Sequence, residues 1–407
     1  MRTIVLCATL AAMTVPSSAG AQSLPLTESE ALLRLSPDSP RVRAIRAAVD
    51  VARADVLAAG RWPNPRLTFD RESVAGVTES MWMIAQPLPI SGRRGLEQQA
   101  ASALVDAASS RSDDALRRAR VDLRLAFAQL VTAQIRERDL TTARDRLQGL
   151  ADTLEKREAA GDAAGFDRLR AEREVLDIDA DREAAAIDRA RAQASLAAFF
   201  AEPTDAARIE AVTRTAPPAA IPQVDALVER AASTRGELLA LRKEIDSARL
   251  GIEAADRRWI PEPDVVGGTK SSNLAGGDIG GVFAVSATLP LFDHGRAERG
   301  LATARESQAK ARADAFLVVA RNEIAGLRAA VLARRETAER YRKAAVKNAG
   351  EIERIARVSY DAGERGILEL LDAYRIGSSA RIRQAVLDLA VREAELELEF
   401  VSGWEMP

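Results

Sequence analysis

The sequence predicts a mainly α protein with a small β part, built from long antiparallel coiled-coil hairpins and four strands. Three observations predict it. Residues 93–160 hold no proline and only Gly95 and Gly149 as glycines, a run far longer than an ordinary globular helix. The same order of features then recurs about 200 residues later. Aromatic residues make up 4% and charged residues 29%, a balance that suits long helices better than a thick core.

The recurrence is carried by landmarks. Trp62-Pro63-Asn64-Pro65 matches Trp259-Ile260-Pro261-Glu262-Pro263, and Pro87, Gly92 and Arg93 match Pro290, Gly295 and Arg296. The second copy holds extra residues between these landmarks, and insertions collect in loops. The Gly-rich run from Gly276 to Gly281 is where they are expected. The chain therefore divides into a leader (1–21), a first repeat (22–223) and a second repeat (224–407). Each repeat comprises a helix, a β-hairpin and a helical hairpin.

Taken in order, residues 27–59 read as helical, with Thr27 as N-cap and an interruption at Pro37 and Pro40. Val224 to Arg258 is the counterpart. The Pro-x-Pro that follows each helix ends it and forces extended backbone. Leu67 to Phe69 and Ser80 to Gln86 read as strands around a turn at Ala75-Gly76. Val265 and Val266 open a second pair that Gly281 to Leu289 closes. In that last segment Phe283, Val285, Ala287 and Leu289 share one face, and Ala284, Ser286 and Thr288 the other. Such alternation suits a strand with lipid on one side and a lumen on the other. A hairpin in an ordinary soluble sheet reads the same way, and two hairpins cannot close a barrel without further chains.

The helical hairpins come next. Leu140, Leu147, Leu150 and Leu154 form the seam of the first, which turns at Gly161 to Gly165 and returns from Phe166 to Phe200. The second runs out from Gly295 to Ala362, turns at Gly363 to Gly366 and returns from Ile367 to Phe400. Its returning seam is Ile382, Val386, Leu389, Leu396 and Phe400. Each outgoing helix would be about 100 Å long at 1.5 Å per residue. The stretch 202–223, with four prolines, reads as an irregular connection.

Arg2, the apolar run Ile4 to Val15 and Ala19-Gly20-Ala21 read as a cleaved secretory signal. Cys7, the only cysteine, lies inside it, so the mature chain is expected to lack disulfides and thiolate chemistry. Nothing later approaches the roughly 18 apolar residues of a membrane-spanning helix, so any later crossing must use strands. The formal charge of −2 mixes 58 basic with 60 acidic residues and leaves no basic face for nucleic acid. His294 is the only histidine. With no cysteine–histidine cluster, no phosphate-binding loop and no nucleophile elbow, neither metal site, cofactor nor enzymatic activity is expected.

The Pro-x-Pro entries, the Pro-Leu-x-x-x-Gly-Arg exits and the tip from Ala362 to Ala373 together resemble the TolC-like outer-membrane efflux family. The likeness spans essentially the whole mature chain. It implies a homotrimer in which each chain gives four strands to one β-barrel and its helices to an α-helical tunnel through the periplasm. It also implies docking on a periplasmic adaptor (membrane fusion) protein that couples the tunnel to an energised inner-membrane pump, with outer-membrane lipid around the barrel. The family's tip pattern is matched by Gly363, Arg365, Ile367, Glu369, Leu371 and Asp372. On that resemblance Glu369 and Asp372 are candidate carboxylate rings of a periplasmic gate, with Arg365 as a latch. Glutamate replaces the family's aspartate at the first acidic position. Exposed charges at an ordinary helical turn would give the same pattern. Gly161, Gly165, Gly363 and Gly366 mark the tips expected to meet the adaptor, where glycine also permits tight turns at positive φ. The segment Pro87 to Arg94 resembles the cation-efflux branch.

Two other readings use the same features. A periplasmic adaptor also carries a leader and a helical hairpin, but one hairpin between β-rich halves. A soluble coiled-coil scaffold leaves the paired β-hairpins unexplained.

Overall fold

The computed structural model describes residues 23–160, 165–213, 219–274 and 277–405. The expected signal segment, Gly161 and Gly276 lie outside the described residues. In chain order the elements are β1 (Leu24–Leu26), α1 (Glu28–Arg34), α2 (Pro40–Ala59), β2 (Arg66–Val74), β3 (Val77–Pro87), α3 (Arg93–Ala159) and α4 (Gly165–Ala197). After these come β4 (Ile209–Ala211), α5 (Val224–Thr234), α6 (Gly236–Asp256), β5 (Pro263–Ser272), β6 (Asp278–Ala287), α7 (Arg296–Tyr341), α8 (Lys347–Asp361) and α9 (Ile367–Ser402). A π-helical segment, Arg342–Val346, joins α7 to α8 without a break in the rod.

Local chemistry sets the boundaries. Thr27 and Glu30 form a reciprocal capping box at the start of α1, and Ser39 caps α2 with Pro40 as its first residue. Gly92 and Gly295 both take φ near +75–80° immediately before the two longest helices. A Cβ on Gly295 would lie 2.4 Å from the Ala255 carbonyl oxygen, so the second exit admits only glycine. α3 has 67 residues, about 100 Å of helix.

Four strands form one antiparallel sheet in the order β2-β3-β5-β6, so the two hairpins join through β3 and β5. Long helices run from one end of this sheet. Near it, α3 lies between α2 and α6, and α6 packs in turn on α7; farther away α3 lies between α4 and α9, and α9 packs on α7 and α8. Three apolar clusters follow this rod. One at the waist joins Leu123, Phe127 and Leu130 to Leu196, Phe199 and Ile209. A second links Leu227, Ile324, Val331 and Leu398. A third, near the tips, gathers Leu147, Leu150, Leu154, Val175, Ile367, Leu370 and Leu371 from both hairpins.

The structure corrects several expectations. The connection 202–223 is not wholly irregular: β4 pairs in parallel with β1, so the described residues hold six strands in two sheets. Strands of three residues leave no periodicity, and this pairing joins residues from opposite ends of the first half. The helix expected from Val224 to Arg258 breaks at Arg235. There the arginine turns inward to Asp114 and the Val401 carbonyl, and Gly236 lies against the Ser110 backbone of α3. Gly280 and Gly281 belong to β6, and the longer connection is Asn273–Gly277 against a two-residue turn at Ala75-Gly76. The first seam is buried as expected, but of the returning seam only Leu396 is fully buried, and Val386 is 43% exposed. Packed between α3 on one flank and α7–α8 on the other, α9 meets them through small residues such as Ala373, Gly377, Ala380 and Ala394. The bulkier Ile382, Val386 and Leu389 lie beside those contacts.

Candidate functional site: the sheet face and the hairpin tips

The register places the strand residues on two chemically different faces. Residues directly opposite each other share a face. Leu67, Ile84 and Phe283 line one row, and Phe69 and Trp82 the next, with Val265 and Val285 beyond them. The opposite face carries Thr68 and Met83, then Asp70, Met81 and Lys270, then Glu72 and Glu79. Lys270 and Glu79 are ion-paired there at 2.6 Å. Among the described residues nothing covers most of the apolar face: Val265 is half-buried, but the other large side chains range from Phe69 at 48% to Ile279 at 79% exposed. The expected shared face of Phe283, Val285 and Ala287 is present, while Leu289 lies past the end of β6.

Both sheet edges, β2 and β6, are free of partners among the described residues. A long apolar sheet with two open edges is unstable alone in water, and lipid on one face with closure of the edges resolves both problems. No helix among the described residues is long and apolar enough to cross a membrane.

At the far end, the second tip turns through Gly363 (φ +74°), and the amides of Glu364 and Arg365 both donate to the Ser359 carbonyl. Gly366 has an ordinary extended φ of −79° and Gly165 is the first residue of α4, so the positive-φ expectation holds at Gly363 alone of the described tip glycines. Ile367, Leu370, Leu371 and Ala373 are buried, whereas Arg365, Glu369 and Asp372 are exposed. The i, i+3 spacing sets Glu369 and Asp372 side by side on the first turns of α9. Arg375 follows one turn on and pairs with Glu174 of α4 at 2.7 Å.

Above the tip lies a charged cluster that sequence reasoning missed. Glu353 of α8 receives Arg146 of α3 and Arg381 of α9, each at 3.1 Å, and Arg381 also reaches Asp139 of α3 at 3.3 Å. Burial pushes the Asp139 carboxyl above the usual carboxylate range, against the opposing pull of Arg381. A lone glycine inside a helix was the available signal: Gly377 admits the Glu353 carboxylate to the α9 backbone. At the waist, Glu28 binds both Arg124 of α3 and Arg392 of α9. Among the described residues no group of three or more His, Cys, Asp or Glu is placed to hold a metal ion.

Comparison with known proteins shows what this chain is similar to. Residues 227–403 match the family described as "Outer membrane efflux protein". That stretch is less than half of the chain. Over 287 residues it is 25% identical to the nickel-cobalt-cadmium resistance protein NccC of Alcaligenes xylosoxydans xylosoxydans, covering 68% of this chain and 63% of that protein. The chain thus spans less than two thirds of that relative's length. A membrane protein from Pseudomonas aeruginosa superposes with a TM-score of 0.77 at 21% identity, over 92% of this chain and 93% of its own. The outer membrane protein VceC of Vibrio cholerae does so at 0.73 and 19%, over 92% and 96%. These two establish that the fold they share extends over nearly the whole chain, including the first half that the family match does not reach.

Proposed function

We propose that this chain is one subunit of a trimeric outer-membrane efflux channel that conducts its cargo passively. The observation that carries the reading is the sheet, apolar and uncovered on one face, charged on the other and open at both edges. Roughly eight strands give a barrel whose interior is filled by side chains. Three chains of four strands make twelve, wide enough for a water-filled lumen lined by Asp70, Glu72, Glu79 and Lys270. The helical layer has matching free edges. α2 exposes Val51 and Leu57, and α7 exposes Val318 and Leu332; farther down α4 exposes Leu169 and Leu176, and α8 exposes Ile352, Ile355 and Val358. Joining the α7–α8 edge of one chain to the α2 and α4 edge of the next makes a head-to-tail ring that closes.

In this assembly the chain is two repeats, 22–223 and 224–407. The barrel stands in outer-membrane lipid and the helices extend through the periplasm as a tunnel. The tips, at Gly161 and Gly165 and at Gly363 and Gly366, dock on a periplasmic adaptor joined to an inner-membrane pump. Glu369 and Asp372 of three chains form stacked carboxylate rings at the tip, favouring cations over anions, and Arg365 latches the closed turn. Divalent metal cations are the proposed cargo. The resistance protein NccC supports that class through its name, and a second relative, 26% identical, is a nickel and cobalt resistance protein. A channel for such ions passes them without holding them. A coiled-coil scaffold, by contrast, would leave the apolar sheet face in water.

Membrane fractionation followed by native mass spectrometry tests the reading. A detergent-extracted assembly of three chains in the outer-membrane fraction is expected. A soluble monomer, or a folded protein confined to the periplasm, would overturn it.

A further inference from the structure

We propose that the π-helical segment Arg342–Val346 is a pivot, below which α8 swings against α9 while α7 stays fixed. A π segment widens the helix by one residue per turn and weakens its hydrogen-bond ladder, which makes it a natural bending point.

The packing on its two sides is unequal. Above it, α7 is held by α5, α6 and α9 through buried Ile324, Val331 and Ala338. Arg328 and Arg335 also donate to the carbonyls of Pro222 and Ala219, and Arg335 pairs with Glu395. Below it, α8 buries only Ala349 and Ala356 within its own chain, chiefly against α9, and its Ile352, Ile355 and Val358 edge is left for the neighbouring chain of the proposed ring. The segment lies against α9, and among the described residues one long-range ion pair pins it: Arg342 reaches Asp388 of α9 at 2.6 Å, and Gln384 braces the same carboxylate at 2.8 Å.

The clamp that keeps α8 docked is the Glu353 carboxylate. It lies where a Cβ on Gly377 would be 1.4 Å from its Oε1, and Arg146 and Arg381 hold it there. Ser378 Oγ and Gln384 Oε1, on the same stretch of α9, are buried with no hydrogen-bond partner among the described residues. This face of α9 is thus incompletely satisfied in the docked arrangement. A methyl group at Gly377 must evict the carboxylate, since ordinary contact begins at 3.4 Å, about 2 Å farther out. Eviction frees α8 to turn about the π segment.

The test uses the full chain with Cys7→Ala, spin-labelled in pairs and diluted into unlabelled chains, with continuous-wave EPR reading the mean distance. One pair, Thr337→Cys with Glu393→Cys, spans α7 and α9 above the segment. The other, Ile352→Cys with Ser379→Cys, spans α8 and α9 below it. Gly377→Ala and the milder Glu353→Gln are each expected to lengthen the lower distance by about 2 Å or more and leave the upper one unchanged. Equal lengthening of both, or no change in either, overturns the pivot. The labels report the pivot without any conductance, so its failure is distinct from failure of the channel reading.

Discussion

Leu147→Ala probes the cluster that binds the two hairpins together near their tips. Leu147 is 2% exposed and meets residues of α4, α8 and α9 there. The substitution removes three carbons, about 2.4 kcal/mol at 0.8 kcal/mol per buried methylene, and adds a cavity term that brings such changes to roughly 3–5 kcal/mol. Because the site lies near the end of a long rod, the loss should appear as local opening rather than global unfolding. Amide hydrogen exchange read by mass spectrometry measures that opening. At about 1.4 kcal/mol per tenfold, exchange around 147–154 and 367–373 should accelerate by about two orders of magnitude or more. Exchange at the waist, around Leu123 and Leu130, should not change. Val386→Ala, on a side chain 43% exposed in the protomer, should cost less than about 1 kcal/mol and accelerate exchange less than tenfold. Equal acceleration by the two variants would refute this account of which α9 face is packed.

Other expectations follow from single residues. Ala75 sits at φ +52° in the β2–β3 turn, so Ala75→Asn should stabilise the hairpin by up to about 1 kcal/mol, seen as a higher denaturation midpoint. Thr27→Ala removes the capping box of α1 and should cost about 1 kcal/mol, read by exchange at residues 28–34. Asp139 holds its proton more tightly folded than unfolded, because burial outweighs Arg381. Its contribution therefore falls as pH rises from the ordinary carboxylate value of about 3.9 through its raised folded value. In Asp139→Asn, local stability between α3 and α9 should vary less across that window, and an unaltered pH profile would contradict the assignment.

The long elements were legible because their signals are long. A 67-residue helix without proline cannot be mistaken, and the doubled landmarks place both strand pairs. The returning seam was misread because apolar spacing marks bulk, whereas α9 packs between two neighbours through alanine and glycine. The β1–β4 pair was invisible for want of length. The Glu353 cluster was illegible for another reason: Arg146, Arg381 and Asp139 come from helices whose relative register no local pattern encodes. The break at Arg235 likewise depends on Asp114 and Phe400, distant in sequence. The tip acids Glu369 and Asp372 were nominated by resemblance alone, and the fold adds only that both are exposed on one flank of α9.

Single-channel recording of the purified protein in planar bilayers tests the central claim most directly, comparing wild type with Glu369→Ala/Asp372→Ala. Six carboxylates near one axis, each worth about 0.5 kcal/mol on a monovalent ion at ~8 Å in water, should favour cations strongly before salt screening. The account predicts stable cation-selective pores from the wild type and, in the variant, a cation-to-anion permeability ratio lower by severalfold or more. Pores of unchanged selectivity would contradict the gate, and well-folded protein that forms no pores would contradict the channel itself.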